Sequence, residues 1–262
     1  MTPRPVRCSR RASFALTAAL PLLAAGSLAH ADAPVLVELF TAEGCSSCPP
    51  ADQFLGQLDV AQPISGAHLI VLSEHVDYWD RQGWPDPYAS KAFTDRQVAY
   101  ERRLKVSEPF TPQFIVDGTV GMSLSHRERI KEQLLGAAAV AKIPVTISSL
   151  RVGGGAAPAI DGTVSVVMAA GDRPCDLFVA VALDHADTQV LRGENRGQHL
   201  THVAVLRELV RVGTVAPGAA SSQPFSVALR QGVERAPFRV IAFLQQPDTG
   251  AVRGVAAQLA GP

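Results

Sequence analysis

The chain has 262 residues, 24 basic and 24 acidic side chains, 47% hydrophobic residues and four cysteines. This length and apolar content suit one or two domains with a real core. The balanced charge excludes the basic excess by which nucleic-acid-binding chains are recognised.

The first predicted element is not part of the fold. Arg4, Arg7, Arg10 and Arg11 precede an apolar run over residues 14–28, and Ala29-His30-Ala31 closes it with a small-x-small pattern. This reads as an export signal covering residues 1–31. The competing reading, a membrane anchor, calls for an apolar span of about 20 residues. Cleavage after Ala31 leaves 231 residues, 20 basic against 24 acidic and a net charge of −4, with no stable membrane anchor. It also removes Cys8, so Cys45, Cys48 and Cys175 remain. A periplasmic or secreted location exposes those thiols to an oxidising compartment.

Residues 35–40 form a predicted buried strand interrupted by one carboxylate, Glu38. Cys45-Ser46-Ser47-Cys48 follows. Pro49 and Pro50 lack amide donors, which the first turn of a helix tolerates, so a helix is predicted from there to about residue 58. A second apolar strand spans 68–73. Residues 75–88 are rich in Gly, Pro and Asp and read as a loop. That stretch carries Tyr78, Trp79, Trp84 and Tyr88 among Asp77, Asp80 and Asp86. A polar helix follows over residues 90–104. Thr111-Pro112 then leads into a strand at 113–116, and Asp117-Gly118 turns it into a hairpin. Ser125 and Glu128 form a capping box opening a helix to about residue 141.

After Lys142 the pattern changes to short strands, at 143–152, 163–168, 177–183, 203–212, 225–229 and 238–243. Turn signals at 153–155, 161–162, 171–172 and 248–250 punctuate them. Such spacing predicts an antiparallel sheet or sandwich. The expected fold class is α/β (α+β): a helix-and-sheet domain over 32–142 with an aromatic insert, then a smaller, mainly antiparallel β domain over 143–262.

The chemistry centres on Cys45 and Cys48. C-x-x-C beside a strand–helix–strand pattern reads as a thioredoxin-like redox motif. The helix that follows directs its positive dipole end at the first sulfur, favouring a thiolate. Cys45 is then the exposed attacking group and Cys48 resolves the mixed disulfide. A zinc site needs two further ligands nearby, and the local sequence offers none. Thr111-Pro112 resembles the thioredoxin-fold position where a cis proline faces the dithiol. On that likeness Pro112 shapes the site and Thr111 presents backbone to a bound peptide; an ordinary trans proline opening a strand is the alternative. Glu38 occupies a place similar to the buried acid that accepts the second cysteine's proton in such oxidoreductases. A carboxylate in an apolar strand needs a job or a partner, so either proton transfer or a surface cation accounts for it.

The aromatic insert also has two readings. Trp79 and Trp84 either wall a substrate groove or anchor the loop by packing. Cys175 is either a reactive third thiol or a buried, inert one. The loop Gly193-Glu194-Asn195-Arg196-Gly197 either binds a ligand or docks against the first domain. His199 and His202, three apart, carry weak metal potential.

Taken together, residues 38–52, 76–87, 94–97 with Tyr100, 111–113, 116–118 and 193–197 resemble one family. It is the secreted thioredoxin-like family catalogued as domain of unknown function 1223, and the likeness covers essentially the whole mature chain. It implies a thioredoxin-like fold and an exported compartment; no cofactor beyond a redox-active disulfide is expected. The expected activity is thiol–disulfide exchange with protein or peptide thiols, using Cys45, Cys48, Pro112 and Glu38 catalytically and Thr111, Trp79 and Trp84 toward substrate. Departures from ordinary thioredoxins are Gly44 in place of an aromatic and Ser46-Ser47 between the cysteines. Two rivals stand beside this reading. One is a copper(I) carrier, for which only Met122 and Met168 remain as soft ligands; the other is an interaction module holding a structural disulfide.

Overall fold

The computed structural model describes residues 1–2, 32–105, 108–154, 158–229 and 237–261. The expected export signal falls on residues outside that set. Residues Ala31–Pro262 form one compact unit. No helix among the described residues is long and apolar enough to cross a membrane.

The elements up to residue 142 are β1 (Ala33–Thr41), α1 (Pro49–Ala61), β2 (Ala67–His75), α2 (Lys91–Leu104), β3 (Gln113–Val116), β4 (Val120–Met122) and α3 (Arg127–Ala138). Beyond it come β5 (Val145–Gly153), β6 (Ala159–Val167), β7 (Cys175–Gln189), β8 (His199–Val215), β9 (Ala220–Ala228), β10 (Phe238–Gln245) and β11 (Val252–Ala260). Among the described residues, helices thus occur only before residue 142 and strands alone after it. The two segments nevertheless share one sheet. Its eight strands run in the order β11-β10-β7-β8-β2-β1-β3-β4, and β5-β6-β9 form a second, smaller sheet. The join is the parallel contact of β2 with β8, where Ser73 pairs with Val205. The fold is therefore mixed α/β, with a central sheet and a smaller antiparallel one.

Alternation along the strands allocates side chains to two cores. In β10, Ile241 and Phe243 face the core that holds Leu55 of α1 and Ile130 and Leu134 of α3. Val240, Ala242 and Leu244 face the other way, onto Ile160, Val164 and Phe225 of the small sheet. The helices and the small sheet thus pack on opposite faces of the large one. A third cluster, at the end of β1, contains Phe40, Ala42, Cys45, Cys48, Val76, Tyr100 and Ile115.

Several local features differ from the sequence expectation. Ser123, not Ser125, supplies the cap before α3: its hydroxyl accepts from the Ser125 amide ahead of a 3-10 turn, and α3 itself has no side-chain cap. Residues Asp77–Gln82 of the aromatic insert form a 3-10 turn. Strand β11, whose Ala- and Gly-containing sequence has weak strand propensity, forms by pairing along β10.

The predicted hairpin turn is present, with positive φ at both Asp117 (44°) and Gly118 (67°). It is also a docking point. Val252 donates to the Asp117 carbonyl at 2.8 Å, and a Cβ at Gly118 would lie 2.0 Å from the Gly250 carbonyl oxygen. Gly118→Ala therefore combines a steric clash with backbone strain, and we expect it to cost about 3 kcal/mol or more. A lowered urea midpoint at unchanged m-value is the expected readout; a wild-type midpoint would contradict this close packing.

Candidate functional site

The dithiol loop grows out of the end of β1. Cys45 donates its amide to Ala42, and Cys48 donates to Cys45, both at 3.1 Å, so the chain turns back on itself before α1. Cys48 is the N-cap of α1, with proline in the first turn. The two cysteines form a disulfide with Cα atoms 5.4 Å apart. The Ser47 hydroxyl lies 3.4 Å from Cys45 Sγ.

The helix amides are not free to serve the sulfurs. Pro49 and Pro50 have none, and the amides of Ala51 and Asp52 donate to the Cys48 carbonyl at 2.8 and 3.1 Å. The groups left facing Cys45 Sγ are the dipole of α1 and the Ser47 hydroxyl.

The expected exposure of Cys45 is corrected: Cys45 and Cys48 are both 0% exposed. A roof covers the loop, made by the connection between β7 and β8. Asn195, itself 1% exposed, donates from one side-chain amide to the carbonyls of Glu43 (2.8 Å) and Cys45 (3.0 Å). Glu194 accepts from the Ser46 amide at 3.3 Å. The loop 193–197 thus docks on the dithiol segment from 150 residues away in sequence.

The aromatic insert frames the same place. Trp79 donates its indole N–H to the Thr111 hydroxyl at 2.8 Å, and a Cβ at Gly44 would approach Trp79 Cβ to 3.2 Å. One side chain thereby links the dithiol loop to the Thr111–Pro112 peptide, which is cis. The same contact explains why glycine stands before Cys45: Trp79 fills the space an aromatic there would need. Trp84 donates to Glu43 Oε2 at 2.7 Å. Both tryptophans are half-buried.

Glu38 stands apart from this arrangement. It is fully buried, accepts from Tyr100 at 2.6 Å and forms an ion pair with Arg96, which also reaches Glu74 at 3.3 Å. Burial, opposed by Arg96, holds the Glu74 carboxyl well above the usual range. The contacts of Glu38 thus go to a cation and a phenol.

The family pattern described as a protein of unknown function, DUF1223, matches residues 36–245. The chain belongs to the DUF1223 family. No curated protein matches it. Protein AGR_C_4864 from Agrobacterium tumefaciens shares its fold, with TM-score 0.62 and 24% identity over 85% of this chain and 92% of that one. HBP35 of Porphyromonas gingivalis does so with TM-score 0.62 and 15% identity over 87% and 75% of the two chains.

Beneath the dithiol loop, this DUF1223 chain gathers five ionisable side chains that are almost wholly buried: Glu43, Asp52, His75, Asp86 and His202. Asp52 lies one helical turn beyond Cys48, on the same face of α1, and accepts from the Thr41 hydroxyl at 3.1 Å. His202 of β8 sits between Glu43 Oε1 (3.4 Å) and Asp52 Oδ1 (3.6 Å). Its burial opposes charge, but the two carboxylates outweigh that and hold its pKa at about 10. His75 contacts Asp86 at 2.7 Å. Burial acts to raise Asp86, yet the neighbouring His75 and amide donors bring it down to about 2.

Glu43, Asp52 and His75 escaped sequence reasoning as a group. The one available signal was the four-residue spacing of Cys48 and Asp52. Among the described residues, no group of three His, Cys, Asp or Glu side chains is arranged to hold a metal ion. His199 is exposed beside Asp187, and so does not join His202. Met122 and Met168 lie in separate cores. Cys175 is a free, buried thiol in the second core, and burial pushes it up to about 11.

Proposed function

We propose that the chain is an exported, thioredoxin-like protein that exchanges disulfides with protein or peptide thiols through Cys45 and Cys48. The observation that carries this reading is the Cys45–Cys48 disulfide at the start of α1, tied through Trp79 to the cis Thr111–Pro112 peptide. A structural staple across three residues constrains almost no unfolded chain, whereas exchange chemistry needs this closely spaced pair at a helix N-terminus.

In the oxidising direction a substrate thiolate attacks Cys45 Sγ. The Cys45–Cys48 bond breaks, Cys48 leaves as a thiolate and takes a proton, and Cys45 is held in a mixed disulfide. A second substrate thiolate attacks the substrate sulfur and releases Cys45. Two substrate thiols become one disulfide, while the protein's disulfide becomes two thiols. Run backwards, the same steps reduce a substrate disulfide, so the partner's potential sets the direction. Because Cys45 is covered, the roof at 193–197 moves aside before either attack.

The test is the dithiothreitol-driven reduction of a fluorescent disulfide-linked peptide. The wild-type protein is expected to accelerate it, and Cys45→Ala to return it to the uncatalysed rate. Equal rates for the two proteins would end this reading.

A further inference from the structure

We propose that His202 is a positioning residue of the dithiol site: from β8 it pins both flanks of the Cys45–Cys48 loop and compensates their carboxylate charge. This rests on the exchange reading above for its purpose, but not for its measurement.

The two flanks are Glu43, two residues before Cys45, and Asp52, four residues after Cys48. Both are acidic and both are buried, in a place where a thiolate must form. Two uncompensated carboxylates there would oppose that thiolate. His202 is the cation placed between them, 2% exposed, with one ring nitrogen toward each. Neither nitrogen, nor Glu43 Oε1 nor Asp52 Oδ1, has a hydrogen-bond partner among the described residues. The contacts are thus ionic and unshared, and removing the imidazole leaves nothing in its place.

The surroundings are specific to this role. His75 meets the His202 ring edge-on at 4.7 Å, with Asp86 bonded to His75. Tyr88 closes the other side at 6.0 Å, and the Arg207 guanidinium lies over Tyr88 at 5.4 Å. Glu43 is further fixed by Trp84 at its carboxylate and by Asn195 at its carbonyl. The charge on His202 therefore acts on a rigid loop whose motion is already restricted.

The test measures Cys45 itself. After reduction, the iodoacetamide alkylation rate is followed against pH. In His202→Gln the profile is expected to move to higher pH, with alkylation at pH 7 slowed about tenfold, since the lost charge is the one set between the two carboxylates that flank the dithiol loop, at low effective dielectric. His202→Lys, which returns a cation, is expected to recover most of that rate. His202→Gln combined with Glu43→Gln, which removes one carboxylate, is expected to recover part of it. A merely structural role predicts the opposite: a conserved profile in any variant that folds. The proposal is overturned if His202→Gln alkylates as wild type does, or if His202→Lys is as slow as His202→Gln. NMR titration of the wild-type imidazole gives a check independent of any variant. His202 is expected to remain imidazolium at pH 8, and a neutral ring at pH 7 would also overturn it. A protein that failed the peptide-reduction assay yet showed these shifts would sink the exchange reading and leave this one standing.

Discussion

Arg96→Met is expected to lose about 3–5 kcal/mol of stability at neutral pH, because it leaves buried carboxylates without their cation. Arg96 bridges Glu38 and Glu74, both 0% exposed. It also donates to the Tyr100 hydroxyl at 2.9 Å and to Gln245 at 3.3 Å, and it lies 5.3 Å over the Phe243 ring. One guanidinium therefore joins β1, β2, α2 and β10. Methionine fills the volume and keeps contact with the aromatic rings, so the loss reports the charge. The pH dependence fixes the mechanism. Glu74 is raised well above 4.5 by burial, and Arg96 is the group that pulls it down. Without that pull the native carboxyl holds its proton to still higher pH, while in the unfolded chain it ionises near 4.5. A native state that binds the extra proton loses stability as pH rises above about 4.5. Wild type follows that fall only up to its own raised Glu74 value, while Arg96→Met follows it further, so the deficit should widen as pH rises above the wild-type Glu74 value and stay level between there and 4.5. Urea denaturation from pH 4.5 to 9 measures it. A deficit that does not change with pH would mean that packing, not charge, is what Arg96 contributes.

The same residue marks the limit of what the sequence discloses. Glu38 was visible as an anomaly, a carboxylate in an apolar strand, and the demand for a partner followed from desolvation alone. The partner was not visible, since Arg96 lies 58 residues away, on a mostly polar helix where an arginine is ordinarily solvated. Features set by nearest neighbours along the chain were legible: the turn of Cys45 to Cys48 into α1, and the Asp117-Gly118 hairpin. Most strands after residue 142 likewise followed from apolar runs, but Asp161-Gly162, expected as a turn, lies inside β6, and β11 was not expected. What joins the halves was not legible, because β2 meets β8 at the single pair Ser73 and Val205, and one contact leaves no periodic trace. The buried Glu43–Asp52–His202 group has the same character. Its members come from the dithiol loop, a helix and a distant strand, and each one alone looks like an ordinary surface residue. The exposure of Cys45 was misjudged for a related reason: a C-x-x-C motif specifies the turn that presents a sulfur, and nothing in it specifies a roof.

That roof is open to direct test. Asn195→Ala is expected to speed reduction of the Cys45–Cys48 disulfide by dithiothreitol by about ten- to a hundredfold, the effect of losing about 1–3 kcal/mol of local hydrogen bonding at a buried side chain. The bonds lost are those to the Glu43 and Cys45 carbonyls, which hold the loop closed, and one within the loop that Asn195 accepts from Gln198 at 3.2 Å. Opening of such a loop is a local event with its own free energy, well below that of global unfolding. Gly193 and Gly197, at the two ends of the loop, both have positive φ, 77° and 85°, a conformation glycine adopts without a Cβ penalty. A Cβ at Gly193 would stand 3.2 Å from Trp84 Cβ, so its seat against the aromatic insert is close. Glu194, which is exposed and makes one longer contact to Ser46, should give only a few-fold acceleration when changed to Ala. The ranking of the two variants separates a roof from general loosening, because a loosened fold would lower the urea midpoint in step with the rate. Faster reduction at a wild-type midpoint means that access to Cys45 is governed by residues 193–197. Unchanged reduction in Asn195→Ala would mean that the reductant reaches the sulfurs by a route the loop does not cover.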